Sequence, residues 1–214
     1  MPSKTIDISV FCADIGSVKK GNFGWAGQMG NGDVATGTDI TDFTVRIADE
    51  LRKRRKVALG FECPLFVPLP DDPMSLTKAR SGEKKAWSAG AGSGVLATGL
   101  TQTTWVLQKV RLAIDAPPQA FLDWASFANA ESGLFLWEAF VTGQAKGSSH
   151  VEDAEIAVQT FHSALPNPKK ANVVSETQVF SLIGAALLRA AWSDDLNLLS
   201  APCLVIQAHE RGVT

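Results

Sequence analysis

Four short stretches in the first third of the chain have the hydrophobic pattern of β-strands. β-Branched and aromatic residues dominate residues 6–12, 23–29, 34–38 and 57–66, and the turn sequence GNGD separates the second stretch from the third. The first three follow one another closely, which predicts antiparallel pairing through tight turns. The fourth is reached through a helical connection, so it is expected to lie parallel to its neighbour in the sheet.

Between the third and fourth strands the hydrophobic period changes to that of a helix. Apolar side chains recur at intervals of three and four residues, at Ile40, Phe43, Ile47 and Leu51. Thr41 and Asp42 are candidate caps at the start, and basic residues at the far end suit the helix dipole. We therefore predict an amphipathic helix over residues 39–56.

After the fourth strand the pattern weakens. Residues 71–91 are polar, basic and contain several glycines, whereas residues 95–114 have a helical period again. Pro117 and Pro118 end this helix. We interpret residues 67–118 as an insertion within one domain that spans residues 1–214.

Further strands are predicted in the second half of the chain. Residues 120–129 are ambiguous and are interpreted as a strand with Asp123 at its centre. Residues 134–141, LFLWEAFV, form a firmer strand, in which Glu138 is interpreted as a strand-edge charge. Residues 201–208 add a last strand.

Two C-terminal helices complete the predicted elements. One begins at His150, and the other begins at Ser175, where Ser175 and Glu176 suit a helix start. The prediction is an α/β fold with a mixed central sheet, in which three antiparallel strands are followed by parallel strands and helices flank the sheet.

Composition and charge narrow the function classes. The chain has 214 residues and a formal charge of −2, with a pI near 5.9, so no global basic field attracts nucleic acid. Cys12, Cys63 and Cys203 are widely spaced and odd in number, which predicts reduced, buried thiols in a cytoplasmic protein. No apolar run approaches the roughly 18 residues of a membrane span, and no signal peptide is recognised.

Two carboxylates lie at the ends of predicted strands, where they are candidate metal-binding or catalytic residues. Asp14 ends the first strand just before Gly16, and Glu62 ends the fourth strand between Phe61 and Cys63. An isolated Asp at such a position also suits a turn. A Glu in an apolar run is costly to bury without a partner, so Glu62 needs an explanation.

The order of elements and the segments ADIGS, FECPL and HVEDAEIA resemble the ribonuclease H-like superfamily. The chain is similar to the predicted nucleases of the DUF429 type, also through residues 78–94, and more distantly to the Holliday-junction resolvases. The resemblance implies that Asp14 and Glu62 lie side by side and that the helix start completes the cluster. His150 and Asp153 match the i, i+3 ligand pair that the last helix offers in the resolvases.

The function implied by this resemblance is metal-dependent hydrolysis of phosphodiesters in DNA or RNA. Two divalent cations about 4 Å apart would be held by Asp14, Glu62 and Asp153, and His150 would bind a metal or handle a proton. Oxygen ligands favour Mg²⁺ or Mn²⁺. His150 equally suits an ordinary helix N-terminus.

A local basic segment is the candidate for substrate contact. Lys78, Arg80, Lys84 and Lys85 are dense there, and Trp87 could add a stacking surface or belong to the core. If each cation meets one phosphate, removing all four should flatten the dependence of log affinity on log salt by up to about three. The competing interpretation is a solvated loop.

Two other function classes remain. DIGS also resembles the first phosphate-binding motif of actin-like and sugar-kinase domains, in which it would face ATP. The same scaffold could also serve as a non-catalytic interaction module. The run AGAGSG lacks the Gly-Lys-Ser/Thr ending of a nucleotide-binding phosphate loop, so it adds little to the ATP hypothesis.

Overall fold

The chain is built around a mixed β-sheet. The computed structural model describes residues 7–84, 86–90 and 92–208. The strands are β1 (Ile8–Asp14), β2 (Gly24–Gln28), β3 (Val34–Gly37), β4 (Lys56–Glu62), β5 (Phe66–Pro68), β6 (Ala120–Phe121), β7 (Gly133–Phe140), β8 (Val179–Ser181) and β9 (Leu204–Gln207).

The strand order in the main sheet is β3–β2–β1–β4–β7–β6, and β9 also pairs with β7. The pairs β1–β2 and β2–β3 are antiparallel, whereas β4 joins β1, and β7 joins β4, in parallel. Both β6 and β9 are parallel to β7. The predicted change from antiparallel to parallel strands is therefore confirmed.

Helices cover both faces of this sheet. They are α1 (Ile40–Arg52), α2 (Gly92–Leu112), α3 (Trp124–Asn129), α4 (His150–Ala164) and α5 (Leu182–Arg189). The core on one face contains buried side chains of α1, α2 and α5, and the core on the other contains those of α3 and α4. Because neighbouring residues of a strand point to opposite faces, both layers draw on the same strands.

The region interpreted as an insertion, residues 67–118, has two different parts. The first part, up to residue 90, is mostly irregular and contains the short 3₁₀ turn Pro73–Ser75. The second part is α2, whose Val106, Leu107 and Val110 are fully buried in the core. This helix is an integral layer of the fold, because removing it would expose the face that it shares with α1 and α5.

The prediction that a helix begins at Ser175 is wrong about the first residue, because α5 begins at Leu182. Residues Val179–Ser181 form β8, which pairs with β5 in a separate two-stranded sheet. Helix α5 begins only after Ser181, whose side chain accepts a hydrogen bond from the Gly184 N–H. The pairing partner of β8 is distant in sequence, so the local pattern could not show it.

Two other local predictions also need correction. Asp123 is not at the centre of a strand, because β6 ends at Phe121 and the Asp123 side chain caps α3 by accepting from the Ser126 N–H. Helix α1 is capped by Asp39, whose carboxylate accepts from the N–H groups of Thr41 and Asp42. In both cases an Asp just before the first helical turn satisfies free N–H groups.

The three cysteines are buried and free, as predicted. Burial raises the pKa of each thiol. Among the described helices, none combines the length and the apolar character that a membrane crossing requires.

Candidate metal centre

Asp14 and Glu62 are brought together by the pairing of their strands. They are the last residues of β1 and β4, and they are partners in the register of this parallel pair. Residues in register point to the same face of a sheet. Their side chains point to the same face of the sheet as those of Cys12 and Ala58, which lie in the core under α3 and α4.

Helix α4 brings the third carboxylate, Asp153, to the same place. Ser149 caps the helix by accepting from the Glu152 N–H, and the Glu152 carboxylate accepts from the Ser148 N–H, a reciprocal arrangement that fixes the helix start. Gly24, the partner of Asp14 on β2, allows the close approach. A Cβ atom on Gly24 would lie 2.3 Å from the His150 carbonyl carbon, so a larger residue would push α4 away.

The resulting triad of Asp14, Glu62 and Asp153 has the spacing of a cation site. One carboxylate oxygen from each residue lies within 4.8 Å of the other two. Two oxygens that each lie 2.0–2.6 Å from one cation are separated by up to about 5 Å, so this spacing fits a hard divalent ion. Glu62 Oε2 is buried without a hydrogen-bond partner among the described residues, and a cation would satisfy it.

Lys146 is the cation of this site in the structure, and the sequence analysis missed it. Its Nζ lies 3.2 Å from Asp153 Oδ2 and 3.7 Å from Glu62 Oε1, and its side chain is 49% exposed. The next residue, Gly147, donates its N–H to Asp153 Oδ1 at 2.6 Å. The segment GQAKGSS between β7 and α4 therefore closes over the triad.

His150 contacts the triad through one residue only. Its Nδ1 lies 2.5 Å from Asp14 Oδ2, and its side chain is 42% exposed. Among the described residues, the group whose ligand atoms converge consists of the three carboxylates without His150. The structure thus places His150 as a hydrogen-bond partner of Asp14 at the edge of the site.

Burial shifts the ionisation of two of these carboxyl groups. Burial, as the largest cause, and the charges of Asp14 and Asp153 together raise the pKa of Glu62 to about 9, against the opposing charge of Lys146. Burial also raises the pKa of Asp14, against the opposing hydrogen bond and charge of His150. Metal-free carboxylates at this spacing are short of positive charge, and a divalent ion would supply it.

Comparison with family models, curated proteins and solved structures gives no match for this chain. The proposed function below therefore rests on the geometry of the site.

Arg80 was predicted to contact substrate, but its side chain is buried in the structure. Its guanidinium is buried and donates to both carboxylate oxygens of Glu138, at 2.8 and 2.5 Å, and to Glu83 at 2.6 Å. A cation engaged in this way is not available to a phosphate. Glu138 is correspondingly not a strand-edge charge, because it is buried in β7 and also accepts from the Leu65 N–H. Arg80 and Glu138 are 58 positions apart, so no local pattern could indicate their pairing.

The other residues predicted to contact substrate differ in how exposed they are to solvent. Lys78 and Lys84 are exposed to solvent, and Lys85 lies outside the described residues. Trp87 is half-buried and lines a cavity next to Glu62 and Lys146. The basic segment therefore contributes two surface lysines and one aromatic wall to the neighbourhood of the triad.

Proposed function

We propose that this protein is a metal-dependent nuclease that hydrolyses phosphodiester bonds in DNA or RNA at the Asp14, Glu62 and Asp153 triad. The observation that carries the proposal is the convergence of three carboxylates from two adjacent strand ends and one helix start. Carboxylate oxygens without histidine or cysteine ligands favour Mg²⁺ or Mn²⁺ over softer metals.

The arrangement of the sheet supports the same assignment. An Asp on the central strand β1 and a Glu on its parallel neighbour β4 is what the resemblance to ribonuclease H-like nucleases implies. We assign the chain to that fold as part of this proposal. The buried free thiols support the cytoplasmic setting expected from the sequence.

Each residue of the site has a distinct role in this scheme. Divalent cations bound by the triad would polarise the phosphodiester and make a water nucleophilic near neutral pH. Asp14, at the end of β1, would hold the cations together with Glu62 and Asp153. His150 is hydrogen-bonded to Asp14 and open to solvent, so it can exchange a proton at the edge of the site.

The nucleic-acid partner is expected to meet Lys78 and Lys84 on the surface. Phosphate contacts by these two lysines would contribute about 1.4 to 1.8 to the slope of log affinity against log salt. Arg80, which is engaged internally, would contribute nothing to this slope.

The direct test is cleavage by purified protein of single-stranded, hybrid and branched DNA and RNA. We expect cleavage in Mg²⁺ or Mn²⁺ that a chelator removes. Asp14→Asn should lower the rate by about two orders of magnitude or more, because it removes charge from a metal ligand. Asp39→Asn is the matched control: it makes the same chemical change at a helix cap away from the triad, where Asn caps equally well.

Cleavage that survives Asp14→Asn or chelation would contradict the mechanism. If no substrate is cleaved and ATP binds specifically, the actin-like or sugar-kinase-like alternative is the better function. If neither cleavage nor ATP binding is found, the interaction-module hypothesis gains.

A further inference from the structure

A cavity of about 320 Å³ lies directly beside the triad. Glu62 and Lys146 form the wall that it shares with the triad, while Trp87 and Val95 come from the segment and helix on the other side. Ligand sites of α/β proteins commonly lie at the carboxyl ends of parallel strands, and this cavity lies at the ends of β4 and β7. A substrate that places its phosphate at the triad has this cavity as its nearest neighbour.

The size and the lining of the cavity suit one planar organic group. Its volume is at the lower end of the range for small-molecule pockets, about 300–1,000 Å³, which is too small for a stretch of duplex. Trp87, Val95 and Phe140 supply apolar and aromatic surface, and Thr142 adds a hydroxyl. Mostly apolar walls with a few polar groups are typical of a site that binds a flat ring.

The charges in the cavity argue against a free anion as its ligand. Arg80 lines the cavity, but its guanidinium is already hydrogen-bonded to Glu138 and Glu83. Among the described residues, three glutamates line the cavity against Arg80 and Lys146, so this part of the lining gives a second phosphate no excess of positive charge. An uncharged ring with polar edges fits better.

Trp87 is held in place and has an unused donor. A Cβ atom on Gly92 would lie 2.2 Å from the Trp87 carbonyl oxygen, so the glycine at the start of α2 lets the two backbones pack closely. The Trp87 Nε1–H is buried and has no hydrogen-bond partner among the described residues. A carbonyl or ring nitrogen of a ligand could accept from it.

We propose that this cavity binds one unpaired nucleobase, stacked on Trp87, next to the phosphate that the triad attacks. The inference rests on the proposed nuclease function and names its substrate class: single-stranded nucleic acid, or a duplex with an unpaired nucleotide at the cleavage position. A base inside a duplex cannot enter the cavity, because its faces are covered by neighbouring bases and its edge is paired.

The test measures binding separately from cleavage. The full chain with Asp14→Asn is mixed, in Mg²⁺, with a short single-stranded DNA that carries one 2-aminopurine, and with the same DNA in which that base is replaced by an abasic site. We expect 2-aminopurine fluorescence to fall on binding, because stacking on tryptophan quenches it. We also expect weaker binding of the abasic DNA.

Substitution of Trp87 should weaken binding of the base-containing DNA in the same way as removal of its base does. Trp87→Ala is expected to weaken binding of the base-containing DNA roughly 5- to 150-fold and to leave the affinity for abasic DNA nearly unchanged. Trp87→Phe keeps a ring and should retain most of the affinity. Trp87→Leu fills the space without a ring, so it separates stacking from packing if Trp87→Ala does not fold. Trp105→Ala is the matched control, since Trp105 lies on α2 against Lys109.

The proposed base pocket would be contradicted by 2-aminopurine fluorescence that does not fall on binding. It would also be contradicted if Trp87→Leu lost affinity equally for the base-containing and the abasic DNA. If the pocket fails while wild-type protein still cleaves in a metal-dependent way, the proposed function stands. If base-dependent binding is found while wild-type protein cleaves nothing, the pocket stands and the nuclease proposal falls.

Discussion

Lys146 lies where the triad most needs a positive charge. Its ammonium group is within 4 Å of both Glu62 and Asp153, and these two carboxylates help to raise its pKa against the effect of burial. Half of the side chain is open to solvent, so the group can move outward on its flexible stem. It therefore stabilises the metal-free triad more than a triad already neutralised by cations.

Lys146→Met should tighten binding of Mg²⁺ by about 1.4- to 5-fold, because an ion pair of this exposure contributes about 0.2–1 kcal/mol to the metal-free state alone. Isothermal titration calorimetry measures the affinity. Lys169→Met is the matched control, since Lys169 pairs with the exposed Asp123. Unchanged Mg²⁺ binding in Lys146→Met would show that the ion pair contributes nothing to the metal-free state, and weaker binding would show that the lysine helps to hold the cation site together.

The carboxylates were predictable at the residue scale and the cations were not. Asp14 and Glu62 follow strand patterns, and Asp153 follows a helix start, so the element end at which each one lies could be inferred. Lys146 stands in a glycine-containing connector and looks like any solvated lysine. In the sequence Arg80 also looks like a solvated basic residue, although in the structure it is buried in an ion pair with Glu138.

The segment between β5 and α2 is attached to the domain at several points. Strand β5 pairs with β8, and the Ser81 N–H donates to the Glu176 carboxylate. The buried Arg80 joins Glu138 on the central sheet and also donates to the Phe66 carbonyl oxygen. These contacts hold the wall of the cavity against the triad, so the segment is a fixed part of the site.

Arg80→Met should destabilise the protein by about 3–5 kcal/mol, because it leaves Glu138 buried without its cation. Chemical denaturation measures the free energy of unfolding. The double variant Arg80→Met/Glu138→Leu removes both charges and is expected to recover much of this loss. Lys78→Met, an exposed cation of the same segment, should change the stability by less than about 0.5 kcal/mol. A stable Arg80→Met protein with weakened nucleic-acid binding would restore the original assignment of Arg80 to substrate.

At the scale of elements, long periodic stretches were predicted well and short ones poorly. The strands β1, β4 and β7 and the helices α1 and α4 have clear periods, and the structure contains them with small shifts at the ends. Strands β6 and β8 have two or three residues each, and only their partners define them. No local pattern could separate them from the helices that follow.

The raised pKa of Glu62 affects the stability of the whole molecule. In the unfolded chain this carboxyl group ionises near its ordinary value of 4.5, whereas the folded protein keeps its proton up to about pH 9. Between these values the folded state binds more protons than the unfolded state, so the free energy of unfolding decreases as the pH rises. The raised pKa of Asp14 acts in the same direction.

Metal-free wild-type protein should therefore lose thermal stability from about pH 5 to pH 9, and Glu62→Gln should lose less over the same range. Thermal unfolding in a chelator at a series of pH values measures both slopes. Glu131→Gln, at an exposed glutamate, is the control and should keep the wild-type slope. Equal slopes in wild-type and Glu62→Gln protein would mean that Glu62 is ionised in the folded state.

The register of β1 and β4 has a consequence for how this protein can diversify. The separation of Asp14 and Glu62 is set by backbone hydrogen bonds between two central strands, whereas Trp87, one wall of the cavity, comes from a connecting segment outside the main sheet. Descendants of this chain could exchange the residue at position 87 while inheriting the spacing of the carboxylates unaltered. The carboxylate spacing and the aromatic wall are thus encoded in parts of the chain on which selection can act independently.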